Sequence, residues 1–161
     1  MKTITLQFVG NDNFIDDVIE LKGGGKYDHV DIVLEDGTLL GARNEHLLGV
    51  PPGVQIRPAA YDKWANVAHI VIPLSDEQYA QFMAFARAQI GLPYDMTAIL
   101  GFVVNRNWQR SGSWFCSELV MAAANAVTGL FKFPVATPVN KIDPVTAFTV
   151  LSTVGSVTIL R

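Results

Sequence analysis

Cys116 is the only cysteine in the chain, and it sits in Trp114-Phe115-Cys116-Ser117-Glu118-Leu119-Val120, where an aromatic stub runs into a helix pattern. The first N–H groups of a helix are unpaired and carry partial positive charge. A thiol at such a start is expected to ionise more readily than its free pKa of about 8.5 allows. Its thiolate would lie beside N–H donors able to hold a developing oxyanion. The plainer reading is a small buried apolar residue, the commoner use of a lone cysteine. Nucleophilic chemistry needs a base, and the candidates are His29, His46 and His69. His69 lies inside Val67-Ala68-His69-Ile70-Val71-Ile72, a half-buried strand pattern, and reads as structural or surface. His46 falls in a loop. His29 opens an apolar run directly after Gly23-Gly24-Gly25-Lys26-Tyr27-Asp28, and a glycine-rich lead-in lets backbone or substrate approach closely. It reads equally as a capping or satisfied strand-end histidine. Cys116 and His29 can pair as nucleophile and base. Two such ligands are too few to hold a metal without a carboxylate, so neither metal nor cofactor is expected.

Composition narrows the setting. With 161 residues, half of them hydrophobic and 17% charged, the chain can bury a real core and is read as one globular domain over 1–161. A net charge of -3 leaves no basic footprint, which argues against nucleic acid as a partner. A single cysteine makes no internal disulfide. Residues 1–10 alternate over a short apolar stretch before Asn11-Asp12-Asn13, the pattern of a strand and not of a signal peptide. No stretch reaches the ~18 uninterrupted apolar residues of a membrane span. The expectation is a protein made in the cytoplasm, without a secretion signal of its own and without a transmembrane segment.

The elements that must position the thiol and imidazole follow from periodicity and punctuation. A first strand is expected over residues 3–9, then a short amphipathic helix carrying Phe14, Ile15, Val18, Ile19 and Leu21, ended by the three glycines. Apolar runs over 29–34 and 38–42 flank Glu35-Asp36-Gly37, a hairpin signal. A Pro/Gly-containing loop covers 44–53, and strands are expected over 54–57 and 67–73. Ser75-Asp76-Glu77-Gln78 is a capping box opening the longest helix, 76–90. A short helix over 95–103 and a polar loop over 105–113 with Trp108 precede the cysteine helix, 116–127. Asp143-Pro144 starts a last helix, and 156–160 closes as a strand. Strands lead and helices follow, an α+β order.

Three segments carry a resemblance. Asp28-His29-Val30-Asp31-Ile32-Val33-Leu34-Glu35-Asp36-Gly37 resembles the histidine segment of circularly permuted NlpC/P60 papain-like proteins. Gly91-Leu92-Pro93-Tyr94-Asp95 is similar to the Gly-x-Pro-Tyr segment that precedes the cysteine there, and Phe115-Cys116-Ser117-Glu118-Leu119-Val120 resembles the permuted cysteine box. They occur in the permuted order and together span residues 26–121. With Gly41-Ala42-Arg43, they also look like small hydrolase-like proteins encoded with phage and prophage tail genes.

The resemblance implies a permuted papain-like α+β fold, a small antiparallel sheet packed against helices. It makes Cys116 the nucleophile and His29 its base, and puts Tyr94, with Ser117, on the substrate side. The family places a third polar residue about twelve positions after the histidine, and here that position is Gly41. Asp31 is the first substitute, because residues i and i+2 share a strand face; Asn44 and Glu45 are others. Secreted relatives have Asp before the cysteine, where this chain has Phe115, and an apolar acyl substrate fits that change. The implied function is a cysteine hydrolase cleaving an amide in peptidoglycan stem peptides, as a component of a phage tail or baseplate in the virion. A lipid acyl hydrolase or acyltransferase, and a tail module with little turnover, are the alternatives.

Overall fold

The structure, a computed structural model, describes residues 1–10, 26–44, 46, 49–60, 63–95, 113–132, 135 and 142–160. The helix expected around 14–21, most of the one expected over 95–103, and the Trp108 loop lie outside the described residues.

Strand β1 (Lys2–Gly10) is central, flanked by β2 (His29–Val33) and β5 (Asn66–Leu74). Strand β3 (Leu39–Arg43) and strand β4 (Gly53–Arg57) extend one side, and β6 (Ser156–Ile159) closes the other. The order is β4-β3-β2-β1-β5-β6, antiparallel at every pairing. The β2–β3 hairpin forms where the Asp-Gly signal lies. Asp36 Oδ1 accepts from the Thr38 amide at 2.9 Å and the Thr38 hydroxyl at 2.6 Å. Gly37 supplies the left-handed residue that ends the three-residue loop, with φ of 80°.

The helices pack on one face of this sheet. Alternation along β1 sends Ile4, Leu6 and Phe8 into the main core, with Val30 and Ile32 of β2 and Ala68, Ile70 and Ile72 of β5. Helix α1 (Asp76–Ala88) contributes Phe82, Met83 and Ala86, and its capping box closes as expected: the Gln78 amide donates to Ser75 Oγ, and the Ser75 amide to Gln78 Oε1. Helix α2 (Cys116–Asn125) has eight of its ten residues buried, the burial of a central helix. Helix α3 (Pro144–Leu151) starts with Pro144 in its first turn, under an Asp143 side chain that accepts from the Thr146 amide at 2.7 Å. Phe148 of α3 meets Phe8 and Tyr27 ring to ring, at 5.1 and 4.7 Å, which fixes the chain just ahead of His29.

The coarse expectation, a small α+β fold with an antiparallel sheet against helices, is what the structure shows. No helix among the described residues is long and apolar enough to cross a membrane.

Leu119 is fully buried in the main core, whereas Ile159 is 61% exposed on the edge strand. Leu119→Ala is expected to cost about 2–5 kcal/mol, and Ile159→Ala no more than about 0.5 kcal/mol. Urea unfolding of the two variants checks this ordering; equal losses would contradict the assignment of core and edge.

Candidate active site

Two struts fix the start of α2, one to β4 and one to α1. The Gly91-Leu92-Pro93-Tyr94-Asp95 segment is the first. Leu92 O accepts from the Val54 amide at 2.9 Å, and Pro93 O accepts from the Trp114 amide at 3.1 Å. The Asp95 amide donates back to Trp114 O at 3.1 Å. The segment thus ties β4 to the residues leading into Cys116. Trp114 is the second strut: its indole N–H donates to Gln89 Oε1 at 3.0 Å, and its ring meets Phe85 of α1 edge-on. Phe115, at the cap position, has no side-chain acceptor. Glu118 reaches back instead, and its carboxylate accepts from the Phe115 amide at 3.3 Å.

Cys116 therefore begins α2 as expected, but its thiol is not free to ionise. It is buried, and burial pushes its pKa up to about 12. Hydrogen bonding to the backbone of Val30 and Ser117 opposes that rise, while the Asp31 and Asp28 carboxylates add to it. Desolvation outweighs the helix-start effect that favoured a thiolate. The bond to Val30 matters for another reason: Val30 directly follows His29, so the sulfur lies against the start of the histidine strand.

His29 and Asp31 alternate with the core residues Val30 and Ile32, so they face the other side of the sheet. There a second small cluster of Val9, Trp64 and Val67 forms, and the His29 ring stacks on Trp64 at 6.4 Å with the planes 16° apart. Arg43 lies over the Trp64 ring at 5.0 Å. His29 Nε2 is 3.0 Å from Asp31 Oδ2, an ion-pair distance but out of line with a straight hydrogen bond. Asp31 Oδ1 is 3.6 Å from Arg57 Nη1, and Arg57 Nη2 donates to Gly41 O and Gly53 O, each at 3.3 Å. Burial holds the His29 pKa below its ordinary value; Asp31 opposes this, and Arg43 and Arg57 reinforce it. The ring is neutral near neutral pH.

Gly41 explains how Asp31 can lie where it does. Carrying the β2–β3 register one step on from Ile32↔Leu40 sets Asp31 opposite Gly41, and a Cβ on Gly41 would overlap Asp31 Oδ1. The position without a side chain is the space that the Asp31 carboxylate fills.

His29 and Asp31 thus lie together on one face of β2, while Cys116 lies against the opposite, helix-packed face beside Val30. No hydrogen bond joins the thiol to the His29 ring among the described residues. Tyr94 is placed beside them through Phe115, the ring centroids 5.9 Å apart. Ser117, expected on the substrate side, is fully buried and donates to Ile142 O at 2.6 Å, an internal tie from α2 to the lead-in of α3. Asn44 is half-buried, and Glu45 lies outside the described residues. His69 is half-buried against Gln7 at 3.2 Å, and His46 is exposed. Sequence reasoning missed Arg57, Arg43 and Trp64. Alternation in Gly53–Arg57 did carry a signal for Arg57, which shares a strand face with Gly53 and Gln55.

No family model matches the chain, and no curated protein matches it. Among solved structures it is similar to metalloprotein yiiX from Escherichia coli O157:H7, a DUF1105 protein, with 17% identity and a TM-score of 0.58. The likeness covers 99% of this chain and 96% of that one. It concerns the fold alone, and it points to a different family from NlpC/P60. The expected membership of the permuted NlpC/P60 group, with its phage-tail relatives, is corrected accordingly.

Stability is expected to follow the titration of His29. The unfolded chain protonates a histidine near pH 6.5, whereas folded His29 resists protonation to a lower pH. The stability is therefore full above the unfolded value and is lost as pH falls from there towards the folded one. His69, also held down by burial, acts with the same sign. Melting temperatures between about pH 7 and about pH 5 check this. The fall on acidification should be smaller in His29→Gln than in wild type, smaller also in His69→Gln, and smallest in the double variant. A fall of equal size in His29→Gln and wild type would contradict the assignment.

Proposed function

We propose that the chain is a cysteine hydrolase acting on an amide or ester, with Cys116 as nucleophile, His29 as base and Asp31 orienting the His29 ring. One observation carries the reading: Cys116 begins α2 against the backbone of Val30, the residue after His29, and His29 Nε2 faces a buried carboxylate from the other face of the same strand. Nδ1 of His29 is then the nitrogen left to act as base. As Sγ attacks the carbonyl carbon, the thiol proton passes to Nδ1, for which the ring has to turn from Trp64 around the start of β2, and the Cys116 amide is a donor for the oxyanion that forms. His29 returns the proton to the leaving amine or alkoxide, leaving a thioester. Water, deprotonated by His29, attacks the thioester; the acid departs and the proton returns to sulfur. The layout of the proposed site is papain-like, with the nucleophile on the helix and the base on the sheet.

A peptidoglycan stem-peptide amide is the first substrate to test, with a phage tail as the setting in which such a substrate is met. A lipid acyl hydrolase or acyltransferase would use the same steps on an ester. A second reading has its own support: a thiol 1% exposed, with its pKa near 12, fits a binding or structural module with little turnover. The yiiX protein is described as a metalloprotein, but the steps above use no metal. Among the described residues no group of three or more His, Cys, Asp or Glu side chains is placed to hold a metal ion. The carboxylate beside His29 also faces the Arg57 guanidinium, which repels a cation.

The test is to incubate the protein with muropeptides, acyl amides and esters, and phospholipid vesicles, reading products and intact protein mass. Turnover of one class is expected, with an acyl adduct on Cys116. Cys116→Ala and His29→Ala should abolish it while leaving the fold intact. Absence of both product and adduct across all classes would overturn the hydrolase reading in favour of the module.

A further inference from the structure

We propose that Arg57 is a positioning residue for the His29 site: it fixes the Asp31 carboxylate over Gly41 and so sets which ring nitrogen of His29 carries the proton. The functional meaning of this role rests on the hydrolase reading; the structural coupling does not.

A buried arginine is rare without a partner that occupies it. Arg57 is 1% exposed, and the Asp31 side chain is fully buried. The carboxylate divides its two oxygens, Oδ1 towards Arg57 Nη1 and Oδ2 towards His29 Nε2. Arg57 is itself held by two carbonyl oxygens, one on β3 and one on its own strand. The guanidinium therefore cannot swing without losing both bonds, and the carboxylate cannot rotate without leaving the guanidinium. Arg57 lies on β4 and Asp31 on β2, with β3 between them. Gly41 is the β3 residue at the crossing, and any side chain there would displace Oδ1. The absence of a side chain at residue 41 and the buried charge at residue 57 are two parts of one device.

The consequence falls on the tautomer. A carboxylate held at Nε2 favours the proton on Nε2 and leaves Nδ1 with its lone pair. The other charged group facing the ring is Arg43 on β3, whose guanidinium lies over Trp64. No hydrogen bond joins it to either ring nitrogen among the described residues. The choice depends on where Asp31 is held.

The experiment is a two-bond 1H–15N correlation of the His29 ring in the full chain without substrate, at a pH above its titration. Wild type is expected in the Nε2–H form. Arg57→Gln, which removes the charge, and Gly41→Ala, which removes no charge and displaces the carboxylate, should both give a mixture of tautomers. Arg57→Lys should restore part of the Nε2–H form. Where turnover is measurable, kcat should fall roughly 10- to 100-fold in Arg57→Gln, with KM little changed. A proton on Nδ1 in wild type overturns the proposal. So does an unchanged Nε2–H form in folded Gly41→Ala or folded Arg57→Gln, which would leave Arg57 a structural ion pair only. If Arg57→Gln does not fold, Gly41→Ala and the wild-type spectrum decide. A tautomer shift in a chain that hydrolyses nothing would overturn the hydrolase reading and keep the positioning role. Unimpaired hydrolysis with an unshifted tautomer would do the reverse.

Discussion

The contact on which the site depends is the buried chain His29–Asp31–Arg57. Removing water from a carboxylate and a guanidinium is costly, and the cost is offset only when every oxygen and N–H has a partner. Asp31 turns one oxygen to each neighbour at ion-pair distances of 3.0 and 3.6 Å, and Arg57 Nη2 donates to two backbone carbonyls, so charge pairing carries more of the offset than hydrogen bonding does. Breaking a buried pair by removing one partner typically costs about 3–5 kcal/mol, so these strands are bound to each other by more than their ladders. The same chain constrains β3 to a glycine at residue 41 and keeps the imidazole stacked on Trp64.

Much of the fold was legible because local signals agreed with the global arrangement. The Asp36-Gly37 hairpin, the Ser75 capping box and the Asp143-Pro144 helix start each form where composition placed them. The cysteine helix begins at Cys116 but ends at Asn125, two residues short of the expectation, since helix ends carry weaker signals than their starts. The site was legible where it depended on one strand: residues i and i+2 gave His29 and Asp31. It was not legible where it depended on pairing between strands. An arginine at the end of a strand reads as a solvated charge, and only the β4–β3–β2 order brings Arg57 under Asp31. Burial of the thiol was equally invisible. A helix start lowers a thiol pKa, but the depth of α2 in the core decides the balance, and depth is a tertiary property. The family assignment failed for a related reason: short motifs fix local geometry around a cysteine and a histidine, and local geometry does not identify a family.

The closed thiol gives the site its chemical character. A group with its pKa near 12 is protonated at neutral pH, and the neighbouring imidazole is neutral. The resting pair is two neutral groups, not a thiolate and an imidazolium. On the proposed hydrolase reading, proton transfer would have to accompany attack on the substrate, and the orientation of His29 would be the controlling variable. This moves the weight of the mechanism from the helix start to the buried charges on the sheet.

The most direct measurement of that claim is the rate of Cys116 alkylation by iodoacetamide as a function of pH, in wild type and His29→Ala. If neutral His29 takes the thiol proton, the wild-type rate should rise as His29 loses its proton, below its ordinary pKa of about 6.5, and then level off. His29→Ala should be slower at neutral pH by about tenfold or more, and its rate should climb steadily towards the thiol's own titration. Identical profiles in the two proteins, both climbing without a plateau, would show a buried thiol with no base and contradict the account.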